Sequence, residues 1–181
     1  MSGVINYIKT LITKAMELSD DTYEQVDQST QYVRSPLALH RDDRIEKEVF
    51  MIAPQFSKHD GVFFDEDNKD WVMIPKYPLP ERWRERWCKL LIVFPGTYPV
   101  VPPVGFYLNK QFHLKSGGTD NHLIGQASHG APNLIEQGWY WYCVHMAIGT
   151  QGGWQPSHDY RKQDNLWTFL TMIRETLTND Y

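Results

Sequence analysis

Apolar residues recur at helical spacing at the start of the chain. They are Val4, Ile5, Ile8, Leu11, Ile12, Ala15 and Leu18, with lysines between them. Apolar residues three and four positions apart line one face of an α-helix, so the pattern predicts an amphipathic helix over residues 3–18. The polar stretch 19–35 lacks this period and is interpreted as a linker. We therefore expect an N-terminal helix and linker over residues 1–35 and a single domain over residues 36–181.

Helices and strands alternate further along the chain. A short helix is predicted from about Arg41 to Phe50 and should end before Pro54, because proline lacks an amide donor and clashes with the preceding turn. The period then changes to that of strands in three runs, GVFFDE, DWVMIPKY and WCKLLIVF. Short connections favour antiparallel pairing, so we expect an α+β fold with a four-stranded antiparallel meander from about Gly61 to Tyr107 and flanking helices. A last helix has an apolar face made of Leu166, Phe169, Leu170, Ile173 and Leu177.

The two cysteines fall in different kinds of segment. In WCKLLIVF, alternation places Cys88 on one face with Leu90, Ile92 and Phe94, and we interpret it as a small core residue. Cys143 instead follows the longest irregular stretch, residues 111–137, which is rich in glycine, histidine and asparagine. Because long loops in compact domains are disproportionately functional, Cys143 is the candidate for chemistry.

Composition and charge narrow the class of protein. The chain has 181 residues, 41% of them hydrophobic, which is enough to build the core of one domain. A net charge of -4 provides no basic field for a phosphate backbone, so we expect no nucleic-acid partner. Two cysteines are too few for a disulfide framework, which fits a reducing compartment. With neither a signal peptide nor a run of roughly 20 apolar residues, the chain is expected to be cytoplasmic and to have no membrane partner.

The run FPGTYPVVPP, from Phe94 to Pro103, resembles a family signature. Its prolines fix φ and remove amide donors, which forces a tight turn, and Tyr98 can pack its ring and hydrogen-bond the turn backbone. The run is similar to the FPxxYPxxPP motif that follows the third strand of the ubiquitin-conjugating enzymes. A loop with Asn133, a lone Cys143 and a Trp-Gln-Pro element at 154–156 then follow in the family's order.

The resemblance extends from about Arg41 to Leu177 and points in particular to the prokaryotic family E of this superfamily. It implies a UBC-like fold, here without the last two C-terminal helices of eukaryotic members. It also implies that an activating-enzyme homologue delivers a ubiquitin-like modifier to Cys143 as a thioester, for transfer to an amine. A JAB-type peptidase is a possible further partner from the same pathway. The chain should need no cofactor of its own and no metal, since the activating enzyme uses the ATP.

Three further residues are candidates for the catalytic site. If WYWYCVHM is extended, His145 shares a face with Cys143 at roughly 6.5 to 7 Å along the strand, where it can orient the nucleophile or simply pack. Asn133, in the Ala-Pro-Asn that stands where eukaryotic members have His-Pro-Asn, is implied as the donor to the oxyanion. His129, like His158 and Asp159, is close enough in sequence to help an amine lose its proton.

Three alternatives remain open at the level of sequence. A cysteine hydrolase would pair Cys143 with His145 or His122, although local pairs of cysteine and histidine are weak signals. A zinc site would draw on the cluster of histidines around Cys143, whose spacings fit no closed zinc pattern. A binding module of the same fold would recognise a ubiquitin-like protein without carrying it. The retained cysteine favours the enzyme over this last alternative.

Overall fold

The computed structural model describes residues 36–144 and 153–179 of the chain. The helix predicted for residues 3–18, the linker after it and His145 lie outside the described residues. The boundary proposed between residues 1–35 and 36–181 therefore stays a prediction, as does the absence of the last two helices of eukaryotic members.

In the part of the chain that the structure describes, two α-helices flank the strands in sequence. Helix α1 spans Pro36–Ile52 and is followed by a 3-10 turn, Ala53–Phe56, so the predicted stop before Pro54 is confirmed. Helix α2 spans Leu166–Thr178, as its apolar period predicts. The Asn165 side chain begins α2 by accepting hydrogen bonds from the backbone amides of Trp167, at 2.9 Å, and Thr168, at 3.2 Å. Such a cap satisfies two amides that have no partner within the helix.

Among the described residues, six strands form one antiparallel sheet in the order β1-β2-β3-β4-β6-β5. They are β1 Phe63–Phe64, β2 Trp71–Pro78, β3 Trp87–Val93, β4 Gly105–Leu108, β5 Leu123–Gly125 and β6 Tyr140–Cys143. The first four strands are the predicted meander, but the sheet has two strands more than the predicted four. Strand β5 has three residues and β6 has four, too few for alternation to stand out in a region without other periodicity.

The main hydrophobic core lies between the helices and one face of the sheet. Strand β3 contributes Cys88, Leu90 and Ile92, with Phe94 just beyond it, which confirms the predicted alternation. The helices contribute Ile45, Val49 and Ile52 from α1 and Leu166, Phe169, Leu170, Ile173 and Leu177 from α2. All five predicted apolar residues of the last helix are therefore buried.

A second, smaller cluster lies on the opposite face of the sheet. Its buried members are Trp71, Met73, Leu91, Tyr107, Leu134, Trp139, Trp141 and Cys143. Leu134, together with partly buried Ala127 and Ala131, comes from the loop 126–138 that connects β5 to β6. This covering loop, which includes a short 3-10 turn at Ile135–Gln137, packs on the second face, and it contains the Ala-Pro-Asn sequence singled out above.

The proline-rich turn after β3 is anchored by side chains from distant parts of the chain. The ring of Tyr98 lies 4.9 Å from that of Phe94, as predicted for packing. The prediction that its hydroxyl bonds the turn backbone is wrong, because α1 packs close enough for the hydroxyl to donate to the carboxylate of Glu48. The indole N–H of Trp154 donates to the carbonyl oxygen of Pro99 at 2.7 Å. The Trp-Gln-Pro element is thus joined to this turn.

Candidate active site around Cys143

Cys143 is the last residue of strand β6, and hydrogen-bonded neighbours on both sides fix its backbone. On one side it pairs with Gly105 of β4. On the other side its N–H donates to the carbonyl oxygen of His122 at 3.1 Å. The extended interpretation of WYWYCVHM is confirmed for residues 140–143, so Cys143 stands at the end of a defined strand rather than inside a loop.

The side chain of Cys143 points into the second cluster. Trp139, Trp141 and Cys143 lie on the same face, as alternation predicts, while His145 is outside the described residues. Cys143 is 8% exposed, and burial raises the pKa of its thiol above the ordinary value. Since the thiolate is the nucleophile, the thiol in this arrangement is protonated at neutral pH and needs either exposure or a base to react.

Cys88 occupies a different environment on the other face of the sheet. It is 4% exposed, lies in the main core within β3 and has its thiol 3.8 Å from the carbonyl oxygen of Tyr77. Burial raises its pKa as well. The prediction that Cys88 is a buried core residue is confirmed, and both cysteines are free thiols.

The covering loop brings the Ala-Pro-Asn sequence to the face that holds Cys143. The hydroxyl of Tyr107 donates to the carbonyl oxygen of Pro132 at 2.6 Å, which ties the loop to strand β4. Leu134 enters the cluster, and its carbonyl oxygen accepts from the amide of Trp139 at 3.1 Å. Loop and strand are therefore held together immediately beside the cysteine.

Within this loop the two predicted polar residues are exposed. The side-chain oxygen of Asn133 accepts from the amide of Ile135 at 3.4 Å, so its oxygen serves a local turn. His129 has a left-handed φ of 57° and lies in a turn closed by a 3.1 Å hydrogen bond from the amide of Ala131 to Ser128. The structure thus places both residues on the covering loop, whose Leu134 and Ala131 join the cluster that contains Cys143.

His122 is buried next to the backbone of Cys143. Its own amide donates to Asp120 at 2.8 Å, and Asp120 also forms an ion pair with Arg82. A cysteine hydrolase would need a charged partner that lowers the pKa of its thiol. At Cys143, burial raises the pKa of the thiol instead of lowering it. Among the described residues this does not favour a pair of thiolate and imidazolium.

His158 and Asp159 lie on the segment that precedes α2. The ring of His158 is 5.7 Å from that of His40, near the start of α1. The amide of Arg161 donates to the carboxylate of Asp159 at 3.1 Å, and this bond holds the pKa of Asp159 below its ordinary value. A carboxylate with a lowered pKa is a weaker base, so Asp159 is poorly suited to accept a proton from an amine.

Over residues 36–144 and 153–179, no three histidine, cysteine or acidic side chains are grouped so that they could hold a metal ion. Within the same ranges, neither helix combines the length and apolar character needed to cross a bilayer.

Sequence reasoning missed two residues that shape this site, Gly105 and Tyr107. The position of Trp141 beside Cys143 could be predicted from sequence, because alternation in WYWYC places both residues on one face of the strand. The pairing of Gly105 with Cys143 and of Tyr107 with Trp141 depends on the register between β4 and β6. No local signal specifies that register, because the long irregular stretch separates the two strands.

An antiparallel meander with helices on one face and a cysteine on an added strand is compatible with the E2-like α+β fold. The chain belongs to the prokaryotic E2 family E, whose family model matches residues 53–180. The comparison with curated proteins found no match, nor did the comparison with solved structures. Family membership makes this a UBC-like protein, suggests a conjugating-type transferase and implies, in general terms, interaction with an activating enzyme and a modifier.

Proposed function

We propose that this protein accepts a ubiquitin-like modifier from an activating-enzyme homologue as a thioester on Cys143 and transfers it to an amine. The observation that carries the proposal is the position of Cys143. It stands at the end of β6, on the face covered by the Ala-Pro-Asn loop, within the matched residues 53–180. Cys88 lies within those residues too, but in the core of a central strand where a large acyl group has no room.

A thiol suits both halves of this reaction. In charging, the Cys143 sulfur attacks the carbonyl carbon of the incoming thioester, and the thiol of the activating enzyme leaves as Cys143 loses its proton. In discharge, an amine attacks the same carbon, the carbon–sulfur bond breaks, and the thiol of Cys143 is regenerated. A serine ester would be too unreactive toward an amine for the second step.

The buried state of Cys143 defines what the partners have to do. Since Cys143 is only 8% exposed, we propose that the covering loop shifts before a protein-sized thioester reaches the sulfur. Asn133 lies on that loop with its side chain exposed, so a shift can bring its amide to the reacting carbonyl. We assign Asn133 to the oxyanion, and His129 and His145 to proton transfer or orientation, all as parts of the proposal.

The proposal needs no cofactor on this chain, since the activating enzyme consumes the ATP. The setting we propose is a cytoplasmic conjugation pathway in which a JAB-type peptidase acts on the same modifier. Neither nucleic acid nor a membrane has a part in it.

The decisive experiment combines the purified chain with ATP, its cognate activating enzyme and the ubiquitin-like protein. We expect a covalent adduct that disappears under free thiol, because a thioester exchanges with thiolate and an isopeptide bond does not. Cys143→Ala should abolish the adduct, and Cys143→Ser should form a more stable oxyester. Cys88→Ala is the matched control and should retain the adduct. If the adduct were lost in Cys88→Ala and retained in Cys143→Ala, the assignment of Cys143 as the nucleophile would be overturned.

One observation favours a second function, a non-catalytic module that binds the modifier. Cys143 is buried, and burial raises the pKa of its thiol, neither of which activates a nucleophile. That function predicts that the chain binds the modifier in a pull-down while no adduct forms with the cognate activating enzyme. It also predicts that Cys143→Ala binds as tightly as the original chain.

A further inference from the structure

The indole of Trp141 lies over Gly105. A Cβ atom built on Gly105 would be 2.6 Å from both Nε1 and Cε2 of that indole. Trp141 itself pairs with Tyr107, two residues further along β4. The indole therefore leans diagonally along the sheet toward Gly105. Its N–H edge occupies the space that a side chain at residue 105, directly opposite Cys143, would fill.

The indole N–H of Trp141 has no hydrogen-bond acceptor among the described residues, although the residue is only 1% exposed. A buried donor left without an acceptor costs about 1 to 3 kcal/mol, so native proteins rarely keep one without a reason. An acceptor that arrives with a substrate would satisfy it. The indole N–H is thus available to bind an oxygen atom of a substrate.

The register of the sheet places this donor beside the cysteine. Gly105 and Cys143 are direct partners across β4 and β6, and the Cβ positions of direct partners lie roughly 4.5 to 5.5 Å apart on the same face. The indole nitrogen is therefore within roughly 8 Å of the Cys143 Cβ atom. This distance is an upper limit, and an acyl oxygen on Cys143 accepts from the indole where the two groups lie closer than that, since a hydrogen bond adds only about 2.9 Å to the reach of the thioester.

We propose that the indole N–H of Trp141 donates a hydrogen bond to the carbonyl oxygen of an acyl group on Cys143, and to the oxyanion formed when that group is attacked. This rests on the proposed function, in which Cys143 carries an acyl thioester. The nucleophile bonds to the carbonyl carbon, the carbonyl electron pair moves to oxygen, and collapse restores the carbonyl and expels the leaving group. Trp141 keeps its proton throughout and acts as a catalytic residue by stabilising charge.

Close packing around residue 105 requires glycine there. Any Cβ there would collide with the indole and with the carbonyl oxygen of Tyr142 at 2.4 Å. The role proposed for Trp141 complements the one proposed for Asn133, since Trp141 lies on strand β6 and Asn133 on the covering loop.

The test compares two reactions of the same thiol in the full chain. A small acyl thioester acylates Cys143 through a tetrahedral oxyanion, whereas iodoacetamide alkylates it by displacement without one. Both rates are followed at Cys143 by peptide mass spectrometry. Trp141→Phe keeps an aromatic ring but removes the N–H donor. It should slow acylation at least about tenfold, because removal of an oxyanion donor slows reactions that pass through an oxyanion. Its alkylation rate should stay within about twofold, because a displacement creates no oxyanion to stabilise.

Trp139→Phe is the matched control, since Trp139 belongs to the same cluster and is not among the buried donors that lack an acceptor. It should change the ratio of acylation to alkylation by less than about twofold. Equal loss of both reactions in Trp141→Phe, no loss of acylation, or an equal ratio change in both variants would overturn the proposal. If Trp141→Phe fails to fold, the isosteric benzothienylalanine at position 141 removes only the N–H and decides between the same outcomes.

The assay needs no activating enzyme, so it separates this inference from the proposed function. If the wild-type chain is acylated by the small thioester but is never charged with the modifier, the proposed function is refuted. The ratio of acylation to alkylation in Trp141→Phe still decides the role of Trp141 in that case. Wild-type Cys143 that alkylates but cannot be acylated would refute the role of Trp141 directly.

Discussion

The hydroxyl of Tyr107 holds the carbonyl oxygen of Pro132 at 2.6 Å and thereby ties the loop over Cys143 to strand β4. We predict that Tyr107→Phe loosens this loop while leaving the aromatic packing in place. Loss of one such hydrogen bond costs about 0.5 to 1.5 kcal/mol. If the loop controls access, native alkylation of Cys143 should become about twofold to tenfold faster, because 1.4 kcal/mol corresponds to about a factor of ten.

Tyr140→Phe is the control for this prediction. Tyr140 is half-buried, lies on the same strand as Cys143 and packs against the main core on the opposite face. Its variant should leave the alkylation rate of Cys143 unchanged. Equal acceleration in both variants would mean that general loosening of β6, rather than release of the loop, exposes the cysteine.

The fold depends on a buried carboxylate, Glu48, that joins three parts of the chain. It forms an ion pair with Arg44, accepts from the hydroxyl of Tyr98 and accepts from the amide of Leu166 at 2.7 Å. Its side chain is fully buried, and that of Arg44 is 3% exposed. Glu48→Ala leaves Arg44 as an uncompensated buried charge, so the free energy of unfolding should fall by about 3 to 5 kcal/mol in urea denaturation.

The same helix supplies a control for the Glu48 prediction. Asp43 and Lys47 form an ion pair with side chains 61% and 51% exposed. Such a surface pair contributes about 0.3 to 0.5 kcal/mol, so Asp43→Ala should lower the free energy of unfolding by no more than that. A comparable loss in both variants would show that the buried network around Glu48 stabilises the fold no more than an exposed ion pair does.

Alkylation should distinguish the two cysteines under native conditions. Cys143 is the last residue of β6 and lies in the smaller cluster beneath a loop, whereas Cys88 lies in a central strand under both helices, so Cys143 should react first and Cys88 only on unfolding. Burial raises the pKa of Cys143, so its thiolate fraction should grow about tenfold per pH unit. The rate should therefore keep rising through the ordinary thiol pKa of about 8.5. Peptide mass spectrometry that finds Cys88 modified first, or a plateau for Cys143 near neutral pH, would contradict this.

Much of the fold follows from local pattern. The burial of Cys88 follows from strand alternation, and the end of α1 follows from Pro54, because each depends on neighbours in sequence. Strand β5 could not be predicted, since three residues carry no period and its pairing partner β6 is far along the chain. The partner of Tyr98 was missed for the same reason: Glu48 reaches it only after α1 has docked.

The candidate site divides in the same way. Alternation correctly placed Trp141 and Cys143 on one face. The resemblance to the family indicated that the loop with Asn133 belongs to the site. Burial of Cys143 was not predictable, because the covering loop has only one short 3-10 turn, Ile135–Gln137, and no periodic pattern from which its path could be inferred. The contact between Trp141 and Gly105 requires the register of β4 with β6, which only the folded sheet specifies.

The last prediction concerns this contact. In Gly105→Ala the new methyl group would lie 2.4 Å from the carbonyl oxygen of Tyr142 and 2.6 Å from the indole of Trp141, so strand and ring must both shift. Overpacking of this kind costs about 1 to 3 kcal/mol, which urea denaturation would measure. Gly96→Ala is the matched control, because a methyl group there meets no atom within 4 Å. It should leave the free energy of unfolding within about 0.5 kcal/mol. Equal stability of the two variants would mean that β4 and β6 accommodate a side chain at Gly105 without strain, and that the indole does not depend on glycine for its position.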